Sequence, residues 1–208
     1  MNYTDIHTSE HALQDYYKLH SPVYDATRWS FLFGRQKLLG ILPDLPPNPR
    51  ILEIGCGTGT NIAALEYSFP DARITGIDLS ADMLQKADQK VGSSPHVQFL
   101  NEKYEPGQLQ LEPFNLIVLS YSLTMMGENI ESILQQTAND LSHNGYIAVV
   151  DFHSTPFNWF KNWMKANHVK LDGSLLPLLK KYYTPLQYSV HSAYLGLWSY
   201  FLYLGQQG

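Results

Sequence analysis

Basic charge, cysteine and long apolar runs are all scarce in this sequence, and each scarcity excludes a class of protein. The 14 lysines and arginines stand against 19 aspartates and glutamates, a formal net charge of −5. The chain therefore has no general attraction for the phosphate backbone of nucleic acids. Cys56 is the only cysteine, which excludes an intrachain disulfide. No apolar run reaches the roughly 20 residues that span a bilayer.

The chain also lacks repeats, low-complexity segments and a readable targeting signal. Its first residues have neither the basic segment nor the apolar core of a secretory signal. A length of 208 residues with 44% hydrophobic content is sufficient for one sizeable core. We therefore expect a single domain over residues 1–208 and a cytoplasmic location.

Short β-rich runs alternate with helical segments along most of the chain. This pattern predicts an α/β fold with a mainly parallel sheet. Ser21-Pro22 is typical of a helix start, and the helix is predicted to continue to about Ile41. A further helix is predicted at 157–168. The predicted strands are 50–54, 73–78, 96–100, 114–120 and 145–151, followed by an aromatic-rich pair at 187–195 and 197–205.

A loop with three glycines follows the first predicted strand, in the segment ILEIGCGTGTN. In open α/β sheets, ligands bind beyond the carboxyl ends of the strands. Glycines at positions 55, 57 and 59 let the backbone turn sharply and approach a ligand, because they lack a Cβ and adopt positive φ at little cost. The loop therefore indicates a site for a nucleoside-like cofactor.

Two acids near this loop distinguish among such cofactors. Asp78 ends the second predicted strand, where its carboxylate could accept hydrogen bonds from both ribose hydroxyls. Thr60 breaks the G-x-G-x-x-G spacing of a dinucleotide site. Glu53 is unfavourable beside a pyrophosphate but suits a cationic amino group, which S-adenosylmethionine carries. A nicotinamide-dependent oxidoreductase and a non-catalytic nucleoside-binding protein remain as alternatives.

The motifs E-x-G-x-G-x-G and GIDLSADML resemble those of class I S-adenosylmethionine-dependent methyltransferases over residues 50–151. The resemblance implies a Rossmann-like methyltransferase fold, with a seven-stranded, mostly parallel sheet and an antiparallel C-terminal strand pair. It also implies an N-terminal helical lid at 1–42, a cofactor-binding core at 50–151 and a substrate or closing region at 152–208.

The resemblance further implies a set of cofactor contacts. The segment LNEKYEP lacks the family's usual small residue and Asp, so Asn101 or Glu102 would take the place beside the adenine. Met83 also fits the core of a helix. Gly55, Cys56 and Gly57 are implied to contact the methionine part of the cofactor. Asp78 is implied to bind the ribose, and Leu79 and Met83 to flank the adenine. The remaining predicted contacts are Tyr17, Tyr24, Glu53, Asn61 and Ser120.

Flanking segments extend the resemblance to betaine-lipid N-methyltransferases, which trimethylate a diacylglyceryl homoserine headgroup. These segments are YKLHSPVYDATRWSFLFGRQ, SYSLTMMGEN and VVDFHSTP. Bacterial phosphatidylethanolamine N-methyltransferases share part of the first. The resemblance predicts N-methylation of a lipid headgroup amine, and a soluble small-molecule acceptor is the alternative.

Methyl transfer to an amine requires few catalytic residues. The protein must hold a neutral amine about 3 to 3.5 Å from the methyl group and exclude water. Tyr24, Asp151 and His153 are candidate bases for the ammonium proton, with lid, strand-end and surface-loop roles as the respective alternatives. Aromatic faces stabilise quaternary ammonium groups, a role predicted for Tyr17, Tyr24 and Tyr121.

Two arginines of the predicted N-terminal helix are candidates for substrate binding. Arg28 and Arg35 lie seven positions apart, hence on one face, and Tyr24 shares that face. Such a face could hold a substrate carboxylate or phosphate. Surface salt bridges are the alternative, and they suit Arg35 better than Arg28.

A basic and aromatic segment follows the fifth predicted strand. Residues 152–183 carry five lysines and one acid, a local charge of +4 in an acidic chain. The stretch TPFNWFKNWMK has a composition suited to an anionic membrane interface. We predict peripheral contact with the inner membrane face through 157–183; the alternative is that the aromatics form core or pocket. The histidines show no metal-ligand spacing, so no metal is expected.

Overall fold

The computed structural model describes residues 32–107, 111–167 and 169–207. Within these residues, seven strands form one sheet and helices pack on both of its faces. The strands are β1 Arg50–Ile54, β2 Arg73–Ile77, β3 Val97–Leu100, β4 Phe114–Ser120, β5 Leu141–Ser154, β6 Thr184–Ala193 and β7 Trp198–Gln206. The helices are α1 Arg35–Leu39, α2 Thr60–Ser68, α3 Ala81–Val91, α4 Ile130–Asp140, α5 Asn158–Ala166 and α6 Leu175–Tyr182.

The strand order places a crevice at the middle of the sheet. It runs β3-β2-β1-β4-β5-β7-β6, with β1 to β5 parallel and β7 antiparallel to both of its neighbours. The chain moves outward from β1 to β3 and then returns to β4 on the other side of β1. At such a switch point, the loops beyond the carboxyl ends of β1 and β4 diverge. The predicted seven-stranded Rossmann-like architecture with its antiparallel C-terminal pair is confirmed.

The central strands are apolar on both faces because helices cover both. Ile51 of β1 lies in the same core cluster as Ile62 and Leu65 of α2. The next residue, Leu52, points to the opposite face and joins a cluster that includes Leu134 of α4. This double burial explains the continuous aliphatic character of β1 and β4.

The predicted strands differ from the structure mainly in length. β1 and β4 have the predicted bounds, and β2 and β3 are each one residue shorter. β5 was predicted at 145–151 but begins at Leu141, which pairs with Phe114 ahead of a register shift. It extends to Ser154, which pairs with Ser199 of β7. Polar residues at both ends of β5 hid these additional pairs.

Helix α6 is absent from the sequence prediction, which assigns no element between residues 168 and 187. Leu175, Leu176 and Leu179 bury its apolar face against the sheet. Pro177 lies in the first turn, where the missing N–H removes no helical hydrogen bond. The lid predicted at 1–42 falls mainly on residues 1–31, outside the described residues. Across the described ranges, no helix is both long and apolar enough to cross a membrane.

Candidate cofactor and acceptor site

A cavity of about 1220 Å³ opens at the carboxyl ends of β1, β2 and β4. One side is formed by the ends of β1 and β2, the start of α3 and the segment after β3. The other side is formed by the segment after β4, by α5 and by the segment that follows α5. The lining segments are 54–55, 77–83, 101–106, 121–122, 125–127 and 169–172, with Asn129, Ser132, Ile133, Lys161 and Lys165.

The glycine loop joins β1 to α2 at the edge of this cavity. Gly55 has φ +74°, and a Cβ at this position would lie 2.7 Å from the Cβ of Ser122. The N–H groups of Gly55 and Cys56 both donate to the carbonyl of Ile77, at 2.8 and 3.0 Å. Glycine is therefore required at position 55 for conformation and for space, and the loop is tied to the end of β2.

Asp78 lines the cavity directly after β2 and also organises the surrounding backbone. Its Oδ2 accepts from the N–H of Gly57 at 2.8 Å, and its Oδ1 accepts from the N–H of Ser80 at 2.9 Å. Ser80 caps α3 by accepting from the N–H of Met83 at 3.3 Å. A carboxylate oxygen has more than one acceptor position, so Asp78 can still accept from a ligand hydroxyl. The structure thus shows that Asp78 fixes the surrounding backbone, in addition to the ribose contact that the sequence predicts.

Glu53 lies beneath the glycine loop and does not line the cavity. Its side chain is 1% exposed, and Oε1 accepts from the Nδ2 of Asn61 at 2.6 Å. Oε2 is buried and has no hydrogen-bond partner among the described residues. Burial raises the pKa of Glu53 to about 8, against the opposing effects of Asn61 and the Arg35 guanidinium. A carboxyl with this pKa is mostly protonated at neutral pH, so Glu53 supports the loop as a buried neutral group.

The loop is poorly suited to a pyrophosphate. Dinucleotide sites direct free backbone N–H groups at the phosphates, whereas the N–H groups of Gly55, Cys56 and Gly57 are bonded within the protein. The acidic side chains nearby add acceptors and negative charge. A ligand with ribose hydroxyls and an ammonium group fits this chemistry, and S-adenosylmethionine has both.

The residues predicted to contact adenine all line the cavity. Leu79 is 40% exposed, while Met83 is buried in α3 and still forms part of the cavity wall. Asn101 and Glu102 both line it as well, and the Nδ2 of Asn101 donates to the carbonyl of Asp78 at 3.0 Å. Because both residues line the cavity, the structure does not distinguish between Asn101 and Glu102 as the residue beside the adenine.

Cys56 and Asn61 support the loop from below. Both are buried, and Asn61 is committed to Glu53. Burial, reinforced by the charges of Glu53 and Asp78, raises the pKa of the Cys56 thiol far above its usual range. Neither side chain lines the cavity, so the structure places both residues as supports of the loop and not at the predicted cofactor contacts.

Tyr121 is the one predicted catalytic residue in the described ranges that lines the cavity. It has φ +56° and donates its hydroxyl to the carbonyl of Phe33 at 2.6 Å. Burial, with the charge of Asp151, raises the pKa of the phenol well above its usual range. The residue can offer a wall to a ligand but not a ready base.

Asp151 and His153 do not line the cavity. Asp151 is fully buried and accepts from the hydroxyl of Thr124 at 2.7 Å and from the N–H of Phe152 at 2.7 Å. Burial raises its pKa to about 6. The His153 ring lies near Phe201, 6.2 Å between centroids, and burial lowers its pKa. The geometry favours a structural role for Asp151 over the predicted role of base.

Ser120 and Arg35 contact each other beneath the site. The Nε of Arg35 donates to the Oγ of Ser120 at 3.2 Å, and Ser120 is 1% exposed. Neither residue lines the cavity, so the structure places Arg35 among supporting groups near Glu53 and not at the substrate. Tyr17, Tyr24 and Arg28, predicted for the lid, lie outside the described residues.

Several cavity residues were missed by the sequence analysis. Tyr104 is buried after β3 and donates its hydroxyl to Asp140 Oδ2 at 2.5 Å. The Oγ of Ser122 is buried with no partner among the described residues; its position just beyond β4 was the available signal. Lys161, Lys165 and Lys170 also line the cavity. Within the described ranges, no His, Cys, Asp and Glu side chains assemble into a group that could hold a metal.

Comparisons with known proteins agree with this geometry. A family model described as a methyltransferase domain matches residues 52–147. The chain is 35% identical over 96 residues to malonyl-[acyl-carrier protein] O-methyltransferase of Halalkalibacterium halodurans, covering 44% of this chain and 35% of that protein. It is 31% identical over 115 residues to trans-aconitate 2-methyltransferase of Paracidovorax citrulli, covering 54% of this chain and 42% of that protein.

A solved structure shows the same fold at lower sequence identity. N-methyltransferase NodS of Bradyrhizobium japonicum, in complex with S-adenosyl-L-homocysteine, superposes with a TM-score of 0.69 and 17% identity, covering 83% of this chain and 85% of that chain. The present chain spans well under half the length of the two curated relatives described above.

The strand order and the superposition show the fold of class I S-adenosylmethionine-dependent methyltransferases, and residues 52–147 match a methyltransferase domain. These findings support the enzyme class and the cofactor predicted from the sequence. The finer resemblance to betaine-lipid N-methyltransferases is not supported by the curated relatives described above, which carry the names of malonyl-[acyl-carrier protein] and trans-aconitate methyltransferases.

Proposed function

We propose that this protein transfers a methyl group from S-adenosylmethionine to a small-molecule acceptor. The observation that carries the proposal is the cavity of about 1220 Å³ beside the glycine loop. Sites for one drug-sized ligand usually measure about 300 to 1000 Å³. The cavity therefore has room for the cofactor and a small acceptor together.

The residues on the β1 and β2 side would hold the cofactor. Asp78 would accept hydrogen bonds from the ribose hydroxyls, Leu79 and Met83 would contact the adenine, and Glu53 would support the glycine loop from beneath through its bond to Asn61. When bound, the cofactor supplies a methyl group on a positively charged sulfur. The protein's part is to orient the acceptor against that group and to exclude water, since displacement at carbon depends mainly on positioning.

The names of the curated relatives support a small-molecule acceptor over a lipid headgroup. One name specifies trans-aconitate, a soluble carboxylate, and the other specifies a malonyl group carried on acyl-carrier protein; neither names a lipid. The matched segments include the cofactor-binding core, so the acceptor of the present protein must be established separately.

A lipid headgroup amine is the second candidate, and one observation favours it. Phe157, Trp159 and Trp163 on or next to α5 are 43%, 65% and 49% exposed. Exposed aromatics on a short helix are suited to a membrane interface. A cytoplasmic location, with contact at the inner membrane face in this second case, remains a proposal.

Acceptor profiling with labelled S-adenosylmethionine tests both candidates. The panel contains soluble carboxylates, soluble amines, and vesicles that display homoserine or ethanolamine headgroups. Asp78→Asn serves as the cofactor-site control, and S-adenosylhomocysteine binding is measured in parallel. We expect label on a soluble acceptor, with loss in Asp78→Asn. Label confined to vesicle lipids would favour the second candidate, and absence of S-adenosylhomocysteine binding would contradict both.

Vesicle flotation separates membrane contact from acceptor choice. The double variant Trp159→Ser/Trp163→Ser removes the exposed aromatic face, and Tyr67→Ser provides a control because Tyr67 is 89% exposed on α2, which does not line the cavity. Under the small-molecule proposal, neither variant changes turnover with the soluble acceptor. Flotation of the wild type that is lost only in the tryptophan variant would support membrane contact.

A further inference from the structure

Charges in the cavity are separated by sign. Asp78, Asp82, Glu102 and Glu105 lie on the β2, α3 and β3 side. There, the one lysine, Lys103, forms a salt bridge with Glu105 at 2.6 Å. The opposite side, contributed by α5 and the segment after it, carries Lys161, Lys165 and Lys170, which we call the lysine cluster, together with Asp172.

The geometry of α5 explains why two of these lysines reach the cavity. Lys161 and Lys165 lie four positions apart, so they share one face of the helix. Phe160 and Met164, each one position earlier, are buried in the core at 3% and 5% exposure. This burial fixes the rotation of the helix, and a step of about 100° per residue then directs the lysine face away from the core and along the cavity wall.

The lysine cluster lacks a full set of protein counter-charges. Within the described residues, none of its three members forms a salt bridge. Asp172 is the nearby acid, and its Oδ1 accepts from both the N–H and the hydroxyl of Ser174, at 3.0 and 2.5 Å. Three lysines and one aspartate therefore leave a formal net charge of +2 on this wall.

We propose that the lysine cluster binds an anionic group, a carboxylate or a phosphate, of the methyl acceptor. The inference rests on the proposed function and adds the chemical class of the acceptor. Ammonium groups act as mobile point charges that accept either anion. The separation of charges would also orient the acceptor, because the acidic wall repels its anionic end from the cofactor side.

Equilibrium binding tests the inference without requiring turnover. The triple variant Lys161→Gln/Lys165→Gln/Lys170→Gln is compared with Lys180→Gln/Lys181→Gln, whose lysines lie on α6 and do not line the cavity. Calorimetry with saturating S-adenosylhomocysteine uses citrate, phosphoethanolamine and ethanolamine as probes. Citrate tests carboxylates, phosphoethanolamine tests phosphate, and ethanolamine lacks the anion.

The expected result is binding of at least one anionic probe and not of ethanolamine. Because the triple variant removes three exposed charges, each of which contributes modestly, the dissociation constant should rise about tenfold in it and stay unchanged in the α6 variant. Wild-type affinity should also fall with salt. Equal affinity in the wild type and the triple variant, or failure of both anions to bind the wild type, would overturn the inference.

The same experiment separates this inference from the proposed function. S-adenosylhomocysteine is titrated first, and the triple variant should bind it as the wild type does. If it binds and the anions do not, the lysine cluster has no role in acceptor binding while the methyltransferase proposal stands. If S-adenosylhomocysteine fails to bind the wild type, the proposed function fails first.

Discussion

Replacing Glu53 with Gln should remove a pH dependence that this buried carboxyl imposes on the free energy of unfolding. Burial raises the pKa of Glu53 from 4.5 to about 8 in the folded protein. Between these two values, the folded state holds a proton that the unfolded state has released. Because the folded state then binds more protons, stability falls as pH rises through this window and levels off above the folded pKa.

The magnitude follows from the two pKa values. Relative to Glu53→Gln, the wild type should lose about 3.5 kcal/mol of stability between about pH 5 and pH 8. The quantity compared is the difference in unfolding free energy between the wild type and Glu53→Gln at two pH values. The glutamine amide has a fixed cost, because Oε2 has no partner among the described residues, and this cost is the same at both pH values. The comparison also cancels the contribution of other titrating groups that the substitution leaves unchanged.

Urea unfolding followed by tryptophan fluorescence measures this quantity in the ligand-free protein. Glu66→Gln on α2 is the matched control, because it makes the same chemical change on a partly exposed helix face. If Glu53→Gln and the wild type showed parallel stability curves from about pH 5 to pH 8, Glu53 would be ionised in the folded state, and the account of its uncompensated oxygen would be wrong.

Three further substitutions test the site. Asp78→Ala should weaken S-adenosylhomocysteine binding about tenfold or more by calorimetry, since it removes the hydrogen bonds proposed to the ribose and the bond from the Gly57 N–H; unchanged affinity would refute this role. Gly55→Ala should destabilise the protein by about 1 to 3 kcal/mol more than Gly92→Ala, as measured by urea unfolding. Both glycines have positive φ, but only a Cβ at position 55 would collide with Ser122. Equal losses of stability would contradict the packing argument. Tyr104→Phe should lower stability by about 1.5 to 3 kcal/mol, since it removes the hydroxyl that donates to Asp140. The control Tyr67→Phe changes a residue that is 89% exposed and should leave stability unchanged. Identical melting curves for the wild type and both variants would refute the contribution of the Tyr104 bond.

The cofactor side was predictable because its chemistry is local in sequence. β1, the glycine loop and the start of α2 are consecutive, so one short segment specifies a buried strand, a sharp turn and a helix. Asp78 was identifiable because parallel neighbours end at the same edge of a sheet. What the sequence did not reveal is that Asp78 also fixes the loop through Gly57. That bond depends on the register of β1 against β2.

The residues that support the site beside β4 and β5 were less predictable because their partners come from segments distant in sequence. Asp151 and Thr124 form a buried pair across 27 residues, and Arg35 reaches Ser120 across 85 residues. Strand-end position alone suggested catalytic or cofactor roles for Asp151 and Ser120. Their side chains are instead satisfied by partners that only the tertiary structure brings together. α6 was missed although Ser174 directly precedes its leucines, because Pro177 interrupts them.

The segment after β5 shows why composition was an insufficient guide to the acceptor. Lysines and tryptophans alternate there in sequence, and their mixture is typical of a membrane interface. On α5 they separate, because Trp159 and Trp163 precede the buried Phe160 and Met164 by one position while Lys161 and Lys165 follow them. At about 100° per residue, the two exposed stripes diverge by about 200°. The lysines therefore face the cavity. Any contact of α5 with a membrane would involve the exposed tryptophans without these two lysines.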